Sequence, residues 1–130
     1  MTVFVDTSAL VAHLDQSDRS HAAATAYVDG SLAEVLVTHN YVVLETAAVL
    51  KRKGGDQATR AFFSAWVPAL RIHWVDPIVH ATAAAAYVAA LPSSVSLVDR
   101  VSFAVMRHLG IGATFAFDPH FATEGFTLVA

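Results

Sequence analysis

Five short runs, TVFV (2–5), EVLVT (34–38), RIHWV (71–75), ATFAF (113–117) and FTLV (126–129), are apolar through most of their length. Strands of that kind have no face to give to water. They belong in a parallel sheet with both faces covered by helices. The segments between them read as those helices: 8–14, 19–29 closed by Gly30, 40–53 with Asn40 as its cap and Gly54 and Gly55 as its stop, 56–67 up to Pro68, a helix reaching 90 from Pro77, and another starting at Ser96. Strand and helix alternate along 130 residues with no internal repeat, linker or low-complexity tract. The expected architecture is therefore one α/β domain over residues 1–130, a three-layer α/β/α sandwich around a mostly parallel sheet.

Four carboxylates interrupt this apolar pattern. Asp6 ends VFVD, Glu45 is the single charge in YVVLETAAVL, Asp99 lies in SLVDRVSFAVM, and Asp118 follows ATFAF. A lone buried carboxylate costs several kcal/mol. Only Asp99 has a basic neighbour in sequence, Arg100. The other acids, Asp15, Asp18, Asp29, Glu34, Asp56, Asp76 and Glu124, lie mostly among turn formers or at the ends of apolar stretches. Taken singly, each of the four reads equally well as a helix cap or a strand-end turn residue; Ser96 and Asp99 even have capping-box spacing. Taken together, they are better explained by a shared divalent cation. Asp6 and Asp118 follow strands, so both point to the crevice beyond the strand ends where open α/β sheets bind ligands. Oxygen donors without Cys or an obvious His set suit Mg²⁺ or Mn²⁺, ions that serve phosphodiester hydrolysis.

The bulk numbers narrow the choices further. A composition 55% hydrophobic and 15% charged supplies a substantial core. No apolar stretch approaches the ~20 residues of a membrane span. MTVFVDTSAL has no basic stretch ahead of its apolar residues, against a signal peptide. The absence of cysteine excludes disulfides and thiolate metal sites, and suits a cytoplasmic protein. A net charge of −3 gives no global field for nucleic acid, so any such binding needs a local basic patch or metal ions.

VFVDTSAL, YVVLETAAVL, SLVDRVSFAVM and FAFDPHFATEGF, in this order and spacing, resemble the PIN-domain nucleases, and among them the small VapC-type toxins of bacterial toxin–antitoxin pairs. The likeness covers essentially the whole chain. It implies an α/β/α fold and an Mg²⁺/Mn²⁺-dependent endoribonuclease that hydrolyses RNA with a metal-activated water, dimerises, and is neutralised by a cognate antitoxin. By motif, Asp6, Glu45, Asp99 and Asp118 match the family's catalytic, metal-holding acids, and Ser8 its small hydroxyl position beside the first acid. The chain departs from the pattern at His120, where many relatives have Asp or Asn; a phosphate contact or proton donor there competes with a surface or packing histidine.

Arg100 and Arg107, seven residues apart on one helix face, are candidates for RNA phosphate binding. Lys51, Arg52 and Lys53 read first as cations complementing a helix C-terminus, with RNA or an acidic partner as the alternative. Phe62, Phe63 and Trp66 read as core or as a self-association face. His13, His21, His39, His73, His80 and His108 show no metal-ligand spacing. Phosphoryl transfer through Asp6 is discounted, because Ser8 stands where a second Asp would be needed two residues on; a catalytically silent PIN-like binding module stays as the alternative.

Overall fold

The computed structural model describes residues 1–53 and 55–130. Its sheet has five strands, β1 (Thr2–Val5), β2 (Val35–His39), β3 (Arg71–His73), β4 (Ala113–Phe115) and β5 (Thr127–Leu128), all parallel and ordered β3-β2-β1-β4-β5. The helices are α1 (Thr7–Leu14), α2 (His21–Gly30), α3 (Asn40–Lys53), α4 (Gly55–Ala61), α5 (Val67–Ala69), α6 (Pro77–Ala89), α7 (Leu97–Leu109) and α8 (His120–Thr123). Together they form the three-layer α/β/α sandwich.

Strand alternation assigns the two faces. Phe4 of β1 approaches His39 and Phe121, and Phe121 stacks edge-on against Phe103 of α7. Val5 and its register partner Phe115 point the other way, and Phe115 stacks on Tyr27 of α2. Phe4, Phe103, Phe115 and Phe121 are all essentially inaccessible to solvent. Each large apolar side chain of this kind contributes about 1.5–3 kcal/mol by burial, which anchors β1 and β4 side by side.

The chain lays down β1, β2 and β3 in one direction, then crosses back to place β4 and β5 on the other side of β1. The order of travel reverses between β1 and β4. In parallel sheets that reversal opens a crevice at the carboxyl ends of the two strands.

Several local expectations are corrected. Asn40 does not cap α3: the ring Nδ1 of His39 accepts from the N–H groups of Tyr41 (3.2 Å) and Val42 (3.3 Å). Asn40 instead accepts from the N–H of Val75 through Oδ1 at 2.8 Å, fixing the chain beyond β3. With Nδ1 accepting, His39 carries its proton on Nε2 and donates it to Ser102 Oγ, whose own hydroxyl donates to Val98 O. Pro68, expected to end or kink its helix, lies in the last turn, which ends one residue later at Ala69. A π-helical stretch, Phe62–Trp66, widens the turn so that Val67 N–H reaches Phe62 O, and a proline without an N–H fits the following turn. β3 ends at His73, leaving Trp74 largely exposed, and β4 ends at Phe115. Phe62 and Trp66 belong to the core, with Trp66 Nε1 donating to His13 Nδ1 at 3.0 Å; Phe63 is exposed. The stop expected at Gly54 lies outside the described residues. Gly110 closes α7 in the left-handed region (φ 69°), where a side chain would be strained.

Candidate metal centre

Asp6 leaves β1 at the crevice and caps α1. Its Oδ2 accepts from the Ser8 N–H (3.0 Å) and from the Ser8 hydroxyl (2.6 Å). The same hydroxyl oxygen accepts from Phe117 N–H at 2.9 Å, so Ser8 ties the end of β1 to the chain leaving β4. Asp99 stands in the first turn of α7 inside a reciprocal capping box: its N–H donates to Ser96 Oγ (3.0 Å) and its Oδ2 accepts from Ser96 N–H (3.3 Å). Asp118 follows β4 and accepts through Oδ1 from the His120 N–H at 2.9 Å. Glu45 projects from α3, partly buried, and the neighbouring Thr46 donates to Thr7 Oγ1 beside Asp6.

All four acids line one cleft of about 470 Å³. Asp6 is 3% exposed and Asp99 7%. Burial is the largest influence on Asp6 and, despite the two hydrogen bonds from Ser8, raises its pKa to about 7, with the charges of Asp99 and Glu45 adding to the rise. Burial likewise raises the pKa of Asp99, aided by Asp118 and opposed by Ser96 and His120. Like charges thus run in sequence, Glu45 beside Asp6, Asp6 beside Asp99, Asp99 beside Asp118. A site in which the two buried carboxyls, Asp6 and Asp99, resist ionisation is short of positive charge, and a divalent cation fits it.

His120 enters the same cleft. Its Nδ1 lies 3.0 Å from Asp118 Oδ1 and 3.5 Å from Asp99 Oδ2, and Ser94 Oγ lies 3.0 Å from Nε2. Asp99, Asp118 and His120 are the one group among the described residues that brings three such donors within 4.8 Å of one another.

Arg100 and Arg107 are placed elsewhere. Both pair with Glu124, at 3.6 and 2.7 Å, Arg107 also lies over the Phe126 ring, and neither lines the cleft. The cations that do line it are Arg19, from the loop between α1 and α2, and Lys53, at the end of α3. Sequence reading did not single out Arg19, because no spacing relates a loop arginine to carboxylates in distant segments. Lys53 carried a signal in the 51–53 basic run, which also suits a helix C-terminus.

A sheet with an order reversal between β1 and β4, carrying carboxylates from four separated segments at that point, defines the class: an α/β protein with an acidic, cation-seeking cleft. The PIN domain model matches residues 3–124. The chain is 35% identical over 133 residues to the 23S rRNA-specific endonuclease VapC20 from two strains of Mycobacterium tuberculosis, a match covering 98% of this chain and 97% of each relative. It is also similar to the crystal structure of Mycobacterium tuberculosis VapC20, described as a sarcin–ricin loop cleaving toxin, with a TM-score of 0.88, 32% identity and 98% of both chains covered. This chain belongs to the PIN-domain family.

Proposed function

We propose that the protein is a divalent-metal-dependent endoribonuclease, a VapC-type toxin that cuts RNA and is held in check by a cognate antitoxin. The observation that supports this most strongly is the convergence of Asp6, Glu45, Asp99 and Asp118 on one cleft, with Asp6 buried and reluctant to ionise. These four carboxylates would hold Mg²⁺ or Mn²⁺. The ion supplies Lewis acidity, making a water more acidic and offsetting negative charge on phosphate oxygens.

The chain's own residues do the rest. Ser8 fixes the Asp6 carboxylate by two donated hydrogen bonds and links it to the Asp118 segment, so the two strand ends keep their spacing. Ser96 holds Asp99 at both its N–H and its carboxylate, so the acid has little freedom to swing away. Arg19 and Lys53, exposed along the cleft, would take the phosphates flanking the scissile bond. As the resemblance to the PIN-domain nucleases implies, water would attack phosphorus with the 3′ oxygen as leaving group, giving a 5′-phosphate and a 3′-hydroxyl. The activity of the relative makes the sarcin–ricin loop of 23S rRNA the first substrate to try. A cytoplasmic homodimer bound by its antitoxin completes the proposal. No helix among the described residues is long and apolar enough to cross a membrane.

Incubation with total cellular RNA and Mg²⁺, followed by mapping of new 5′ ends, tests this directly. Discrete 5′-phosphate ends that vanish with chelator are expected; no cleavage of any RNA would favour the catalytically silent binding module. For RNA positioning, Arg19→Ala and Lys53→Ala should each weaken binding and lower the slope of log affinity against log salt by roughly 0.7. Arg107→Ala is expected to change that slope less, because its guanidinium must first leave Glu124. Unchanged slopes for Arg19→Ala and Lys53→Ala would remove both from the RNA path.

A further inference from the structure

On the reading of the cleft as a divalent-metal site, we propose that His120 is itself a ligand through Nδ1. The Asp99–Asp118 end of the cleft then becomes a mixed nitrogen–oxygen site that selects Mn²⁺ over Mg²⁺. The ring is aimed for this. Nδ1 is shielded from solvent and has no hydrogen-bond partner, although two carboxylate oxygens lie at 3.0 and 3.5 Å. A protonated imidazole serving as an internal counter-ion would be turned so that its N–H pointed at one of those oxygens. Here neither contact has hydrogen-bonding geometry.

The far side of the ring is anchored. Ser94 Oγ lies 3.0 Å from Nε2, and in the tautomer that donates Nε2–H to this hydroxyl, Nδ1 keeps a free lone pair beside the Asp99 and Asp118 carboxylates, directed at neither oxygen and so open to an ion between them. An outer hydrogen bond of this sort is the usual way a protein fixes the tautomer of a ligating histidine. The His120 N–H donates to Asp118 Oδ1, which couples the backbone of one donor to the side chain of the other. The three donor atoms lie within 4.8 Å of one another, a span one ion can close by small side-chain movement.

Mg²⁺ prefers hard oxygen ligands and gives up its waters reluctantly, whereas first-row transition ions accept imidazole readily. Replacing one oxygen donor by a nitrogen therefore shifts the site toward Mn²⁺. The proposal predicts Mn²⁺ affinity at least about tenfold above that for Mg²⁺, and a ratio reduced about tenfold in His120→Asp, which restores an oxygen donor.

The experiment is pulsed electron paramagnetic resonance of the purified protein loaded with MnCl₂ alone, alongside calorimetric Mn²⁺ and Mg²⁺ titrations of wild type, His120→Asp and His120→Gln. Among the described residues His120 is the one histidine lining the cleft, so a ¹⁴N modulation from a coordinated imidazole is assigned to it. The modulation is expected in wild type and absent from both variants, with His120→Asp still binding Mn²⁺. Mn²⁺ bound by wild type without ¹⁴N coupling would overturn the role of His120 while leaving the divalent-metal site standing. No saturable Mn²⁺ binding by wild type would overturn both. The wild-type spectrum decides the matter even where a variant folds poorly.

Discussion

Asp99→Asn is expected to reduce RNA cleavage by about 10³-fold or more while leaving the protein folded. The fold should survive because asparagine retains both halves of the capping box: its N–H still donates to Ser96 Oγ, and its amide oxygen still accepts from Ser96 N–H. The lost element is one negative charge and one strong oxygen donor, placed between Asp6 and Asp118 in the line of acids. Metal-based charge stabilisation contributes several kcal/mol to a transition state, and each 1.36 kcal/mol is tenfold in rate. Because burial and Asp118 already oppose the ionised form of Asp99, the variant's melting temperature should match or exceed that of the metal-free wild type. Cleavage by the folded variant at near wild-type rate would remove Asp99 from the machinery.

Asp6→Asn should make the metal-free protein more stable above pH 7, by up to about 4 kcal/mol. The figure follows from a carboxyl whose pKa moves from 3.8 to about 7 on burial. A folded-state pKa raised in this way contributes stability that is fully present below 3.8 and is lost as pH rises through 7. His39 acts in the opposite sense. Buried and neutral, it has its pKa lowered from 6.5 to about 3 by burial, with His73 adding to the effect. The unfolded chain therefore takes up a proton below pH 6.5 that the folded chain refuses, and roughly 4 to 5 kcal/mol of stability is lost as pH falls from 6.5 to 3. In metal-free wild type these two contributions nearly cancel between pH 4 and 6.5. Asp6→Asn leaves His39 alone, so its stability should climb across that window. Denaturant unfolding at half-unit pH steps measures both curves; superimposable curves would show that Asp6 is not held against its charge.

How far the sequence anticipated this depended on the range of the interaction. The layers were legible because unbroken apolar runs such as TVFV and ATFAF have one physical use, and the Ser96–Asp99 cap because it closes within three residues. The convergence of Asp6 and Asp118 on the crevice followed from their positions after β1 and β4, given a parallel sheet. What was missed depended on long-range or competing contacts. Asn40 has the composition of a cap, but the buried ring of His39 reached the helix N–H groups and Val75 claimed the asparagine. Arg100 and Arg107 share a helix face as their spacing requires, yet Glu124, 17 residues beyond Arg107, decides what they touch. His120 was marked only as a departure from a pattern; the geometry places its ring between two carboxylates and Ser94, a residue outside every motif.

Isothermal calorimetry of the metal-free protein titrated with Mg²⁺ at pH 8 addresses the cation-seeking cleft most directly. The expected result is saturable binding to wild type, accompanied by a melting temperature that rises with Mg²⁺ concentration, with both effects lost in Asp6→Asn and Asp99→Asn. Wild type that binds no Mg²⁺ and melts at the same temperature throughout would contradict it.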